Sequence, residues 1–158
     1  MTTEQNSIPS QNDKIMAALG HISVLLPLIG LIAPIIIWAT QKDKSKYVSF
    51  QALQAIAYQL VMIIAYFIAI GCYMLSFFST FLTISFTNKT SGPSASPLAM
   101  VGFIIPFLIF GAIFIGGGIF ILYGIVGAVF TIQGKGFRYF IIGNRIAGFL
   151  EKQNQTIF

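Results

Sequence analysis

Read as apolar and polar positions, the chain falls into three long runs almost free of charge, Ile15–Ala39, Leu53–Leu82 and Leu98–Ile132, with short polar stretches between them. About 20 apolar helical residues cross a hydrocarbon core about 30 Å thick. In that medium only helices or closed barrels pair every backbone polar group. The runs therefore predict an all-α integral membrane protein with three transmembrane helices, over about 15–40, 50–82 and 98–133, behind a polar tail over 1–13. Gly134-Lys135-Gly136 breaks the third run, and the pattern beyond it predicts a C-terminal interfacial helix over 137–150 and a tail over 153–158. On that helix Arg138 and Arg145 share one face, with Tyr139, Ile146 and Leu150 opposite. Residues 14–152 read as one helical membrane domain.

The first run contains Gly20, Pro27, Gly30 and Pro34, and a proline inside a helix removes a donor and clashes with the preceding turn. A kinked spanning helix is expected, about 37 Å long if continuous. The alternative is a re-entrant hairpin turning near Pro27–Gly30, which would bring the N-terminus to the cytoplasmic side. The other two runs exceed what a bilayer requires, and their excess, including Ser76–Phe86, lies towards the turn-rich Ser91–Pro97. Apolar surface beyond the lipid implies a protein that covers it.

Composition agrees with the runs: 56% of residues are hydrophobic and 8% charged, against about 25% charged in soluble domains. A soluble core is excluded. The net charge of +5 does not point to nucleic acid, because the cations flank apolar helices instead of forming one dense face. Lys42, Lys44 and Lys46 follow the first run, and Lys135, Arg138, Arg145 and Lys152 follow the third, leaving Lys14 and Lys89 for the other side. By the positive-inside rule the 41–49 loop and the C-terminus are cytoplasmic, with the N-terminus and the 87–97 loop outside. Lys42, Lys44, Lys46, Arg138 and Arg145 are the expected lipid-headgroup contacts. The N-terminal stretch lacks the basic cluster of a cleavable signal, and the single Cys72 reads as a small packing residue.

Candidate chemistry is sparse. On a helical wheel the second run places Gln51, Gln54, Tyr58, Gln59 and Tyr66 on one side, with Ala55, Ala65, Ala69 and Cys72 among them. Side-chain amides, hydroxyls and small residues are what membrane helices use to pack on one another, and a polar pore or substrate groove is the sharper reading of the same face. In the third run Gly116, Gly124 and Ala128 stand at multiples of four, a spacing that lets backbones approach. His21 is the only histidine and the candidate functional ionisable group, although a hydrogen-bonded structural role is the plainer use of it. The four acids, Glu4, Asp13, Asp43 and Glu151, all lie outside the runs. With no paired acids, hydrolase motif, phosphate loop or metal-ligand spacing, no enzyme, cofactor or metal is expected. These features point to a non-enzymatic integral membrane protein serving as an accessory or assembly subunit of a larger membrane complex. Its expected partners are the lipid bilayer and either another membrane protein or further copies of itself. The alternative is a channel, transporter or translocon-like component with a polar path along the second helix.

The run Ala33-Pro34-Ile35-Ile36-Ile37-Trp38, then Gln41-Lys42-Asp43-Lys44, then Tyr47 to Gln59 (YVSFQALQAIAYQ) resembles a prokaryotic family of uncharacterised small membrane proteins. That family is grouped with the twenty-kilodalton subunit of the chloroplast inner-envelope translocon. Ala17-Ala18-Leu19-Gly20-His21-Ile22-Ser23 is similar to its opening motif, and Gly136-Phe137-Arg138-Tyr139 to its closing one. This chain has Ser49, Gln51 and Gln54 where that family often carries an acidic or histidine residue. The resemblance implies a three- or four-helix fold in a prokaryotic cell membrane and a distant link to protein translocation, and it supplies no catalytic residue.

Overall fold

The computed structural model describes residues 8–26, 28–91, 97–140 and 142–148. Leu150, Lys152, the N-terminal seven residues and the 92–96 portion of the turn-rich loop lie outside the described residues. Every regular element among the described residues is helical: α1 (Gln11–Ile22), α2 (Ile32–Gln41), α3 (Lys46–Ser91), α4 (Pro97–Ile132) and a short α5 over 142–148. By contacts the chain divides into two compact units, Met1–Val61 with Phe120–Phe158, and Met62–Ile119.

In the first unit, the first apolar run is a hairpin and not one helix. α1 starts at a reciprocal capping box, in which Ser10 Oγ accepts from the Asp13 N–H and Asp13 Oδ2 accepts from the Ser10 N–H, both at 3.1 Å. It ends at Ile22, and two single 3₁₀ turns, Ser23–Leu25 and Ile29–Leu31, carry the chain round to α2. Leu28 lies between them at φ 68°, a left-handed conformation that a side chain other than glycine's rarely adopts. Gly20 marks where the arms cross: a Cβ there would meet Pro34 Cβ at 3.7 Å and Ala55 Cβ of α3 at 3.8 Å. Pro34 is tolerated because it lies in the first turn of α2, where its missing N–H has no helical partner to lose. The arms have 12 and 10 residues, about 18 and 15 Å at 1.5 Å per residue.

Two expectations are thereby corrected. Among the described residues two helices, not three, contain stretches long and apolar enough to cross a membrane, Lys46–Phe86 and Ile104–Ile132. The start of α1 also lies beside the end of α4 instead of across the bilayer from it, because the Lys14 side chain passes over Gly134, within 2.7 Å of where a Cβ would stand. Gly134 has φ +76°, so a side chain there would be strained as well as blocked. The hairpin was the alternative left open by Pro27 and Gly30; it prevails because its small and polar face packs on α3 and α4.

The C-terminal segment departs from expectation too. Residues 135–139 form no regular secondary structure and helix returns only at 142–148, so Arg138 and Tyr139 do not share a helix with Arg145. Phe137 and Tyr139 turn inward and are buried, and Arg138 lies over the Phe50 ring at 5.6 Å.

In the second unit α4 carries Pro106 in its interior. Proline has no N–H, so the carbonyl four residues earlier, on Gly102, loses its helical donor. Thr80 of α3 supplies one: its hydroxyl lies 2.7 Å from Gly102 O and 2.9 Å from Ser76 O. A freed carbonyl in hydrocarbon needs such a substitute, and here it also fastens α3 to α4. Beside this contact Tyr73, Phe77, Phe107 and Phe110 line an aromatic cleft of about 340 Å³.

Candidate functional site

The polar face of α3 closes on itself inside the first unit. Val48, Gln51, Ala52, Gln54, Ala55, Tyr58 and Gln59 recur at helical spacing and are all buried. Buried amides are costly unless bonded, and these are bonded to the two segments that pack on α3. Gln51 and Gln54 both donate through Nε2 to the carbonyl of Phe137, at 3.1 and 3.0 Å. Gln54 Oε1 accepts from the Tyr139 N–H at 3.1 Å, so one glutamine holds the 137–139 backbone through both its amide nitrogen and its amide oxygen. On the hairpin side Gln59 Nε2 donates to Ser23 Oγ at 2.9 Å, and Ser23 Oγ donates to Gly20 O at 2.8 Å.

His21 sits at the centre, 1% exposed. Its Nε2 lies 3.1 Å from Gln51 Oε1 and its Nδ1 3.0 Å from the Tyr139 hydroxyl. Gln51 has already turned its NH₂ to the Phe137 carbonyl, so the atom facing the imidazole is an acceptor and Nε2 carries the proton. Nδ1 then accepts from Tyr139. Burial lowers the imidazole's pKa from its ordinary 6.5, the Gln51 hydrogen bond opposing it more weakly, so the neutral form fits the site. Burial likewise raises the Tyr139 hydroxyl, with Tyr58 and Tyr123 adding to it.

Aromatic rings seal the cluster. Tyr58 stacks on Tyr139 with centroids 4.1 Å apart and planes 7° off parallel, while Phe137 meets both His21 and Tyr139 edge-on. Tyr58 also donates to Phe120 O of α4 at 2.8 Å. Glycines of α4 let the hairpin approach: a Cβ on Gly124 would meet Val24 Cγ1 at 2.6 Å, and one on Gly127 would meet His21 Nδ1 at 3.2 Å. Among the described residues no buried side-chain nitrogen or oxygen lacks a hydrogen-bond partner. No group of three or more His, Cys, Asp or Glu side chains among them could hold a metal ion.

Comparison with known protein families matches residues 12–146 to the MamF/MmsF magnetosome magnetite crystal formation protein family. The chain belongs to that family. Searches among curated proteins and among solved structures give no match. The family match overturns the resemblance to the translocon-related family, for which nothing further speaks. Three of the segments that carried that resemblance, Ala17–Ser23, Tyr47–Gln59 and Gly136–Tyr139, include most of the residues that dock the hairpin in this MamF/MmsF-family protein, while Ala33–Trp38 and Gln41–Lys44 form its second arm and the turn after it.

The other sequence candidates divide between the units. Gly124 and Ala128 pack in the first unit. In the second, Tyr66 is 45% exposed and a Cβ on Gly116 would meet nothing within 4 Å, while Thr80 and Gly102 make the polar contact between α3 and α4. Lys42, Lys44, Lys46, Arg138 and Arg145 are all exposed, and Lys42 lies over the Trp38 ring at 5.7 Å. Sequence reasoning missed Phe137, whose backbone carbonyl is the acceptor for two glutamines. It also missed Thr80, for which the proline at 106 was the available signal.

Proposed function

We propose that this MamF/MmsF-family protein acts in magnetite crystal formation as a non-enzymatic organising subunit of the magnetosome membrane, assembling with other membrane proteins or with further copies of itself. The observation that carries the reading is apolar length. The candidate span in α3 has 41 residues, about 62 Å of helix against a hydrocarbon core of about 30 Å. Exposed aromatics continue along the second unit at Phe77, Phe78, Phe81, Phe86 and Phe107. Surface of that kind outside lipid calls for a protein cover.

The chain's own chemistry supports organisation over mineral contact. Between Asp43 and Glu151 the sequence has no carboxylate, the ligand type suited to hard cations. The only histidine has both ring nitrogens engaged. By the positive-inside rule we read the basic end, with the 41–49 turn and the start of α1, as cytoplasmic. The polar-path reading is disfavoured because Gln51, Gln54 and Gln59 spend their amides on internal bonds. Purification from native membranes in mild detergent, with mass determination and mass spectrometry, tests the proposal. A stoichiometric partner or a homo-oligomer is expected; a monomer that retains nothing reproducible would refute it.

A further inference from the structure

We propose that the α1–α2 hairpin is a one-leaflet wedge, with its apolar tip in the leaflet on the basic side and the opposite leaflet left unentered, so that the chain favours bilayers in which the basic side is convex. Length sets the first limit. Arms of 12 and 10 residues reach about 15–18 Å, half of a hydrocarbon core of about 30 Å.

Polarity sets the direction. The tip presents Leu25, Leu26, Leu28, Ile29 and Ile32, between 48% and 69% exposed, and carries no charge. The base carries Lys14 at one end and Lys42, Asp43 and Lys44 at the other. Lys14 passes over Gly134, and Lys135 follows with its ammonium 5.7 Å from the Phe130 ring. An apolar tip on a cationic base with aromatic neighbours complements acyl chains beneath anionic headgroups, and each surface cation adds to the attraction. The polar inner face of the hairpin is already bonded to α3, which leaves the exposed apolar face for lipid.

The consequence is an imbalance of area. Two long helices enter both leaflets, while the hairpin adds its cross-section to one. Insertion confined to one leaflet is relieved where that leaflet is stretched, on the convex side of a curved bilayer. This inference does not depend on what the protein assembles with.

The test is to reconstitute the full chain, tagged at the C-terminus, into sonicated small and extruded large vesicles of phosphatidylethanolamine and phosphatidylglycerol. Protease access then gives the fraction with the basic side outward. The outward fraction should exceed the inward by several-fold in small vesicles and fall towards parity in large ones. Leu26→Lys with Ile29→Lys, both exposed positions, should abolish the difference; the same ratio in both vesicle sizes, or a difference that survives the double variant, would overturn the proposal. If the double variant does not insert, depth decides. A nitroxide on Leu28→Cys in a Cys72→Ser background should be relaxed by oxygen and shielded from aqueous nickel. A nickel-accessible label, or one immobilised against a second copy, would overturn the wedge.

Discussion

Replacing Gln54 by leucine probes the join between the hairpin unit and the segment after α4. Gln54 is fully buried and makes two bonds to non-helical backbone: it donates to Phe137 O at 3.0 Å and accepts from the Tyr139 N–H at 3.1 Å. The two losses differ. Phe137 O keeps its bond from Gln51, so removing one of two donors costs about 0.5–1.5 kcal/mol. Among the described residues the Tyr139 N–H has no second acceptor, and it becomes a buried orphan, at about 1–3 kcal/mol. The leucine returns part of this through apolar packing, so a net of about 2 kcal/mol is expected for local opening, or about 30-fold. Hydrogen exchange of the 137–140 amides in lipid nanodiscs reads this directly. Gln54→Leu should speed exchange at Tyr139 about 30-fold, whereas Gln51→Leu, which leaves both Gln54 bonds in place, should move it far less. Wild-type exchange at Tyr139 in Gln54→Leu, or equal acceleration in both variants, would refute the reasoning.

Gly124→Ala puts a methyl 2.6 Å from Val24 Cγ1 and should destabilise the hairpin by about 1–3 kcal/mol, whereas Gly116→Ala meets nothing and should stabilise α4 by up to about 1 kcal/mol; thermal unfolding in detergent compares them. Thr80→Val removes the hydroxyl that donates to the carbonyl left without its helical donor by Pro106, so exchange near residue 106 should rise, with Thr80→Ser restoring protection. Because burial lowers the His21 pKa in the fold, the unfolded chain binds the proton first, and stability should fall as pH drops below about 6.5. His21→Gln should flatten that part of the profile; an unchanged profile would show that His21 is not its source.

Much of this was legible in the sequence. The Gln51–Gln54–Tyr58–Gln59 face follows from helical period alone, since those positions recur on one side of an apolar helix. Its partners were not legible, because the acceptor shared by Gln51 and Gln54 is a backbone carbonyl, and no side-chain pattern announces a carbonyl. Phe137–Tyr139 was misread for the same reason: a wheel presumes helix, while that stretch is non-helical and its backbone bonds the glutamines. The first run was ambiguous in physical terms, as Pro27 and Gly30 serve a kink and a reversal equally. What decides between them is long-range, the fit of Gly20 against Pro34 and Ala55 and of Val24 against Gly124. Family membership required comparison: the match over residues 12–146 identifies the family, and no residue of the hairpin contacts by itself names it.

The one-sided hairpin is the claim on which the topology turns, and labelling tests it most directly. In a Cys72→Ser background, single cysteines at Asn12 and at Lys135, both exposed, are treated with a membrane-impermeant maleimide in sealed inside-out and right-side-out vesicles. Both cysteines should react in the same vesicle orientation, the inside-out one. Reaction of Asn12→Cys and Lys135→Cys in opposite orientations would contradict the hairpin and restore a first helix that crosses the membrane.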